Sequence, residues 1–471
     1  MIVKRFFEPL LAQSSYLIGC AQAHEAIVID ANRDVDAYIA AAAAEHLQIT
    51  HVTETHIHAD YLSGSRELAQ RTGAQLLLSG EGDADWRYAF AREGRLVRAG
   101  DTMSVGNVAV DVLHTPGHTP EHLTLLITDG AVANAPIAAV TGDFIFVGDV
   151  GRPDLLERAA SMKGTMEAGA RTLYRSLQAF RYDDWLQIWP GHGAGSSCGK
   201  GISAVPHSTL GYERRFNWAF KVKSEDEFVA QVLAGQPDPP KYFATMKRLN
   251  KEGPSLLGGF RTPTRMSEGA LASTVANGDV VIDARPAPDY AAGFLPGTIN
   301  LPLNSSFVTW AGWLIPYDTD VYLVLPEGGE TRLRELVRAL ALIGLDRVKG
   351  YFTSGAVSRL PAERLSRIRQ LEPRELSGMR GDRVPVVLDV RTDAEWQDGH
   401  LPSAIHIPLG HLPGRLAELP QSHPLVVHCA AGTRSAIAAS VLARAGVANV
   451  SNLVGGYDAW VDAGLPISAG D

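Results

Sequence analysis

Residues 55–64 read THIHADYLSG, and the reading of the chain turns on them. The run before them, Ile49–Thr53, has the β-branched pattern of a strand. His56, His58 and Asp60 therefore leave a strand end at alternate positions, where a turn can converge them on one point. Three further pieces sit at predicted strand ends in the same way. His114-Thr-Pro-Gly-His118 follows Val108–Leu113, Gly142-Asp143 follows Ala138–Thr141, and Pro190-Gly-His192 follows Leu186–Trp189. Imidazoles and carboxylates on successive loops above one sheet are what a divalent metal requires. A single PGH or GD is an ordinary turn; four such motifs in this order are not. His24, His46, His51, His122 and His207 read as ordinary histidines.

Outward from this stretch, strands alternate with helices. Ala26–Asp30, Gln75–Leu78 and Leu123–Ile127 read as further strands, and the alanine-rich Val35–His46 as a helix, which predicts a layered α/β architecture. Glu213–Ala234 reads as one helix, QPDPP as a breaker, and Tyr242–Leu249 as a second helix before Gly253-Pro254. The first domain is assigned to residues 1–258.

The remainder contains a repeat. VVIDARPAPDYAAGFLPGTINLP (280–302) matches VVLDVRTDAEWQDGHLPSAIHIP (386–408) at an offset of 106, and Val324–Gly344 matches Val426–Gly446 at 102. Two copies make two homologous domains rather than a solenoid. They are assigned to residues 260–370 and 373–471. In the second copy VVHCAAGTRS (426–435) places Cys429 between a β run and a helix. Loop N–H groups and a helix N-terminus there favour a thiolate, and Arg434 adds positive charge for an anionic sulfur donor or acceptor. In the first copy the aligned segment, Leu325–Arg332, puts Glu327 opposite Cys429.

Composition bounds the alternatives. The chain has 471 residues, 45% apolar and 20% charged, with net charge −9, and this excludes a mainly disordered chain. No long basic block points to nucleic acid, no stretch is apolar enough to span a bilayer, and the first residues do not read as a signal peptide. Three cysteines do not make a disulfide framework, so a cytoplasmic location is expected. Cys20 reads as core.

The first region resembles the metallo-β-lactamase superfamily, with its HxHxDH pattern, later His, later Asp and last His. Tyr61 replaces the histidine that the second metal position of that family needs. The resemblance narrows to the persulfide dioxygenase branch, which implies one Fe(II) per chain held by His56, His118 and Asp143. His58, Asp60 and His192 then orient ligands or substrate. Gly151-Arg152-Pro153-Asp154 resembles the GRxD stretch of that branch, where Arg152 either contacts substrate or pairs with Asp154. Residues 191–217 and 240–254 resemble dioxygenases fused to rhodaneses, and Cys198 on that loop is a candidate persulfide site.

The Cys429 loop, with Asp389-x-Arg391 and Gly399-His-Leu-Pro upstream, resembles a rhodanese with Cys429 and Arg434 as catalytic residues. The first copy resembles a rhodanese without catalysis. The implied fold is an αββα metallo-β-lactamase sandwich followed by two rhodanese-like α/β domains with central parallel sheets. The implied chemistry converts a low-molecular-weight thiol persulfide and O2 to sulfite and thiol, coupled to sulfur transfer that forms or uses thiosulfate. Arg214, Arg215, Lys247 and Arg248 are candidates to meet an anionic carrier, and a homo-oligomer stays open. The competing readings are a hydroxyacylglutathione-type hydrolase with a dinuclear site and a non-catalytic sulfur-carrier scaffold.

Overall fold

The structure is a computed structural model that describes residues 1–160, 164–381, 384–420 and 423–469. The chain divides into two compact units: Met1–Phe260 with Arg338–Gly344, and Arg261–Val337 with Leu345–Asp471. Among the described residues no helix is long and apolar enough to cross a membrane.

The first unit is built on two six-stranded sheets. In one, Ile2–Glu8, Gln13–Cys20 and Glu25–Ile29 are antiparallel neighbours, and Gln48–Thr53, Gln75–Ser79 and Arg95–Val97 continue the sheet in parallel. The other runs Ser208–Thr209, Gln187–Pro190, Ala138–Gly142, Leu123–Asp129, Val108–His114, Thr102–Val105. Side-chain alternation along a strand explains why the sheets pack as layers. Tyr16, Ile18, Ile27, Ile29 and Leu77 join Val110, Val112, Leu125 and Val140 in one core between the sheets. The intervening Leu17, Val28, Leu76 and Leu78 pack with Val35, Tyr38 and Leu68 on the helical side. On the far face Ala139 and Ile188 pack with Leu173, Leu177 and Phe228. Helices thus cover both outer faces. This explains why strands such as Gln13–Cys20 are buried along their whole length.

The expected single helix Glu213–Ala234 is broken. Helix Leu210–Phe216 ends at Asn217, whose side chain accepts from the Ala219 N–H, and a new helix, Glu225–Leu233, starts at Ser224, which caps Glu227. Both are side-chain caps that compete with a continuous helix.

The second unit carries two five-stranded parallel sheets with the same strand order. One is Thr264–Arg265, Val348–Phe352, Val321–Val324, Val280–Asp283, Ile299–Asn300. The other is Arg369–Leu371, Val450–Leu453, Leu425–His428, Val386–Asp389, Ile405–His406. In each copy a buried arginine two residues beyond a strand aspartate folds back onto it, Arg285 on Asp283 at 2.6 Å and Arg391 on Asp389 at 2.7 Å. Each also donates to a glycine carbonyl, Gly293 and Gly399. This motif therefore ties the strand end to the following loop in both copies. The Asn300 N–H of one copy donates to Ser440 Oγ of the other at 3.0 Å.

Candidate metal centre and cysteine loop

His56, His118 and Asp143 come together from three loops at one end of the sandwich. Each offers a ligand atom, and these atoms all lie within 4.8 Å of one another, fully buried. Asp143 Oδ2 is 3.4 Å from His118 Nε2 and 3.9 Å from His56 Nε2. Neither carboxylate oxygen of Asp143 has a hydrogen-bond partner. A buried carboxylate with no donor is costly unless a cation compensates it. The donor set therefore fits a divalent metal. His118 Nδ1 lies 2.9 Å from the Arg152 carbonyl, so the Nδ1–H donates there and Nε2 stays free as a ligand. Burial pushes the His56 and His118 pKa values down, toward the neutral imidazole that ligates.

Close packing by glycine makes the site possible. Gly142 has φ 48°, and a Cβ there would lie 2.5 Å from Thr55 Oγ1 and 2.9 Å from His122 Nε2. At Gly191 a Cβ would lie 2.9 Å from Asp143 Oδ1. The glycines of the GD and PGH motifs thus leave room for the cluster itself.

The other expected residues take distinct places. His58 turns away through Nε2 to Asp30 Oδ1 at 3.1 Å. Burial alone would lower its pKa, but the Asp30, Glu54 and Asp60 carboxylates push it up to about 9. Tyr61 donates its hydroxyl to the Asp30 carbonyl and supplies nothing to the cluster. Asp60 and His192 lie beside it, with Asp60 Oδ2 and Asp143 Oδ1 each 3.4 Å from His192 Nε2. Cys198 is buried and groups with Asp60 and His192. Arg152 is fully buried, forks onto Asp154 at 2.8 and 2.6 Å, and donates to the Ser197 carbonyl. Of its two expected roles the structure favours the loop-fixing one. Arg214 and Arg248 pair with Asp184 and Glu252, and Lys247 lies over the Trp86 ring.

Three groups escaped the sequence reading. His122, read as ordinary, accepts the Asp143 N–H on Nε2 at 3.1 Å, and its Nδ1 lies 2.9 Å from Thr115 Oγ1; it holds the back of Asp143. Asp30, read only as a strand end, sits at φ 58° and accepts from the Thr55 N–H, the Thr55 hydroxyl and His58. Its left-handed backbone aims the carboxylate across the next strand. Glu121 accepts the Ile57 N–H at 2.8 Å, and burial pushes its carboxyl up to about 7. Only the spacing of His122 and Glu121 to His118 hinted at these roles.

In the second unit, Cys429 follows strand Leu425–His428 and is buried. Its Sγ accepts the Gly432 N–H at 3.1 Å and lies 3.7 Å from Ser435 Oγ. Gly432 adopts φ 102° and opens helix Thr433–Arg444, so the sulfur faces loop N–H groups and the positive end of the helix. Arg434 forks onto Glu395 at 2.7 and 2.6 Å and also interacts with Cys429. Burial works against the Glu395 charge, but Arg434 and Thr392 outweigh it and hold the carboxyl down at about 2. A cavity of about 1180 Å³ opens beside the loop, between Ala431, Gly432 and Thr433 of this copy and Tyr290, Asn304 and Arg367 of the other.

The sheet register corrects the alignment of the silent loop. Asp283 pairs with Val324, and its counterpart Asp389 pairs with His428. The residue in the place of Cys429 is therefore Leu325, fully buried, and not Glu327, which is exposed. The first copy holds six residues, 325–330, between strand end and Thr331, where the second holds four, 429–432, before Thr433. Sequence matching slid the gap into the strand because the apolar run offers no landmark. Arg332 pairs locally with Glu335.

Two family models match. The metallo-beta-lactamase superfamily covers residues 9–192, and the rhodanese-like domain covers residues 372–463. A probable metallo-hydrolase of Burkholderia pseudomallei is 31% identical over 205 residues, 38% of this chain and 67% of the relative. A sulfurtransferase of Allochromatium vinosum is 37% identical over 103 residues, 22% of this chain and 96% of the relative. The human mitochondrial persulfide dioxygenase is 27% identical over 196 residues, 41% of this chain and 68% of the relative. Among solved structures, one described as a metallo-beta-lactamase of Staphylococcus aureus aligns with a TM-score of 0.69 and 41% identity, covering 75% of this chain and 99% of that one.

Proposed function

We propose that this chain, which belongs to the metallo-β-lactamase superfamily and carries a C-terminal rhodanese-like domain, oxidises a low-molecular-weight thiol persulfide with O2 and moves sulfane sulfur through Cys429. The likeness to a persulfide dioxygenase on one side and a sulfurtransferase on the other supports a role in sulfur metabolism.

The observation that carries the first half is the His56/His118/Asp143 group with both Asp143 oxygens unpartnered. Two imidazoles and one carboxylate, with other positions open, suit non-haem Fe(II), which supplies the activation of O2 and of the persulfide sulfur when bound. The chain's residues do the rest. His118 is held in its ligating tautomer by the Arg152 carbonyl, and His122 steadies Asp143 from behind. The buried cluster excludes bulk water from the reacting sulfur. The balance is RSSH + O2 + H2O giving RSH, sulfite and two protons.

In the second half the Cys429 thiolate attacks the outer sulfur of a donor. One S–S bond forms and one breaks, and from thiosulfate the leaving group is sulfite. The Gly432 N–H and the Thr433–Arg444 helix terminus stabilise the negative sulfur, and Arg434 receives the anionic donor. The cavity beside the loop admits the carrier, and the first copy forms its other wall. That is the role we assign to the copy without a nucleophile.

The test is oxygen uptake by iron-loaded protein with a panel of thiol persulfides, with sulfite and thiosulfate quantified. Uptake with one iron per chain, lost in His118→Ala while sulfur transfer persists, is expected. Thioester hydrolysis without oxygen uptake would replace this reading by the two-metal hydrolase.

A further inference from the structure

The loop that carries His56, His58 and Asp60 runs between strand Gln48–Thr53 and helix Ser65–Thr72, and residues 55–63 are buried apart from half-buried Ala59. Outside regular structure, buried N–H and C=O groups must find partners one by one. The first half of the loop finds them on Asp30 and Glu121, which accept the Thr55 and Ile57 N–H groups. The second half finds them on a single side chain. Asn250 Nδ2 donates to the His58 carbonyl and to the Tyr61 carbonyl, each at 2.8 Å, and Asn250 Oδ1 accepts the Ser63 N–H at 2.9 Å. A flipped amide would set its oxygen against two carbonyls, so the partners fix its orientation. Between these contacts the Leu62 N–H donates to the Leu342 carbonyl at 2.8 Å, from the segment Arg338–Gly344 that the first unit includes.

Asn250 is itself held in place. It is buried on helix Tyr242–Glu252, whose Phe243 and Met246 are also buried, and the Ala89 N–H donates to the carbonyl of the next residue, Lys251, at 2.8 Å. This helix lies beyond residues 9–192, which the metallo-beta-lactamase family model covers, so the clamp is an addition to that fold. We infer that Asn250 is a positioning residue of the metal centre, which closes the turn His58–Ser63 and so sets the loop of His56 and Asp60 in place. The link from clamp to centre is geometric. Asp60 lies inside the turn that the amide closes, with its Oδ2 3.4 Å from His192 Nε2. His58, at the start of the turn, bonds Asp30, and Asp30 also holds Thr55 beside the ligand His56. Opening the turn therefore loosens the loop on both sides of its bends. The inference rests on the reading of His56, His118 and Asp143 as a metal centre, and not on the oxidation chemistry.

The test reads metal release and hydrogen exchange rather than turnover. Full-length protein is loaded with Co2+, and release to a chelator is timed; exchange over residues 57–64 is followed in metal-free protein. Asn250→Ala should release Co2+ at least about 10-fold faster than wild type. Its exchange should rise over residues 57–64 and stay at the wild-type level in the buried strand Gln13–Cys20. Asn250→Asp keeps the volume and the acceptor for the Ser63 N–H but has no donor for the two carbonyls. It should release Co2+ as fast as Asn250→Ala, which separates lost hydrogen bonds from lost packing. Wild-type release in both variants, or faster exchange spread evenly over the fold, would overturn the inference while leaving the metal centre standing. A wild-type chain that binds no Co2+ would overturn the metal centre, and the role of Asn250 with it.

Discussion

The two parallel sheets of the second unit have the same strand order and the same aspartate–arginine clasp, yet their central strands deliver different residues to the loop above. Leu425–His428 ends in Cys429; Val321–Val324 ends in buried Leu325. The clasp, present in both, serves the scaffold. What distinguishes the copies is a four-residue loop with a sulfur at its start, a glycine N–H aimed back at that sulfur, and Arg434 shared between Glu395 and Cys429. The longer loop of the first copy cannot close in the same way, and Arg332 is engaged with Glu335.

The largest test of this contrast is Cys429→Ser, which should abolish thiocyanate formation from thiosulfate and cyanide. Substantial residual transfer would mean that the first copy carries a second sulfur acceptor and that the contrast is false. Next comes Arg434→Ala. Loss of one charge-assisted contact costs about 1.5–3 kcal/mol, or roughly 10- to 150-fold in transfer efficiency. Arg434→Lys should fall between, because it keeps the charge and loses the planar fork. Iron content should not move in either variant.

Glu395→Gln is a smaller perturbation. A half-exposed ion pair is worth roughly 0.2–1 kcal/mol, so turnover should change by about 5-fold at most. Its pH signature is more specific. The carboxyl lies at about 2 in the fold against its usual 4.5, so its stabilisation is present above pH 4.5 and is lost as pH falls toward 2. Thermal melts of Glu395→Gln and wild type should therefore converge at the acid end and separate above pH 4.5. A separation that grows on acidification would contradict the Arg434–Glu395 pair. The smallest expected effect is Glu327→Gln. On an exposed loop it should stay within about 0.5 kcal/mol in stability and leave sulfur transfer unchanged. A clear change in transfer would return Glu327 to the place that the sheet register gives Leu325.

The legible parts of the sequence were those tied to a local rule. The metal motifs could be read because each falls at a strand end, and the Cys429 loop because a glycine turn and a helix follow at fixed spacing. The misalignment at Leu325 arose where apolar strand residues are interchangeable and only hydrogen-bond register fixes position. His122 and Asp30 were hidden for another reason. Their roles depend on partners 21 and 25 residues away, at Asp143 and Thr55, and on a left-handed backbone at Asp30 that the sequence does not announce. The helix Glu213–Ala234 failed because two side-chain caps cut it, and both caps look polar and unremarkable in the sequence.

Sharing one strand order between the two sheets also has a kinetic consequence. Every strand in either sheet pairs in parallel with residues distant in the chain, and such non-local pairing forms late. While one sheet is incomplete, its open edge is a template that accepts the equivalent strand of the other copy, tethered on the same chain. Refolding from denaturant should therefore lose yield in this unit through intramolecular strand exchange. Dilution, which suppresses aggregation between chains, should not restore it.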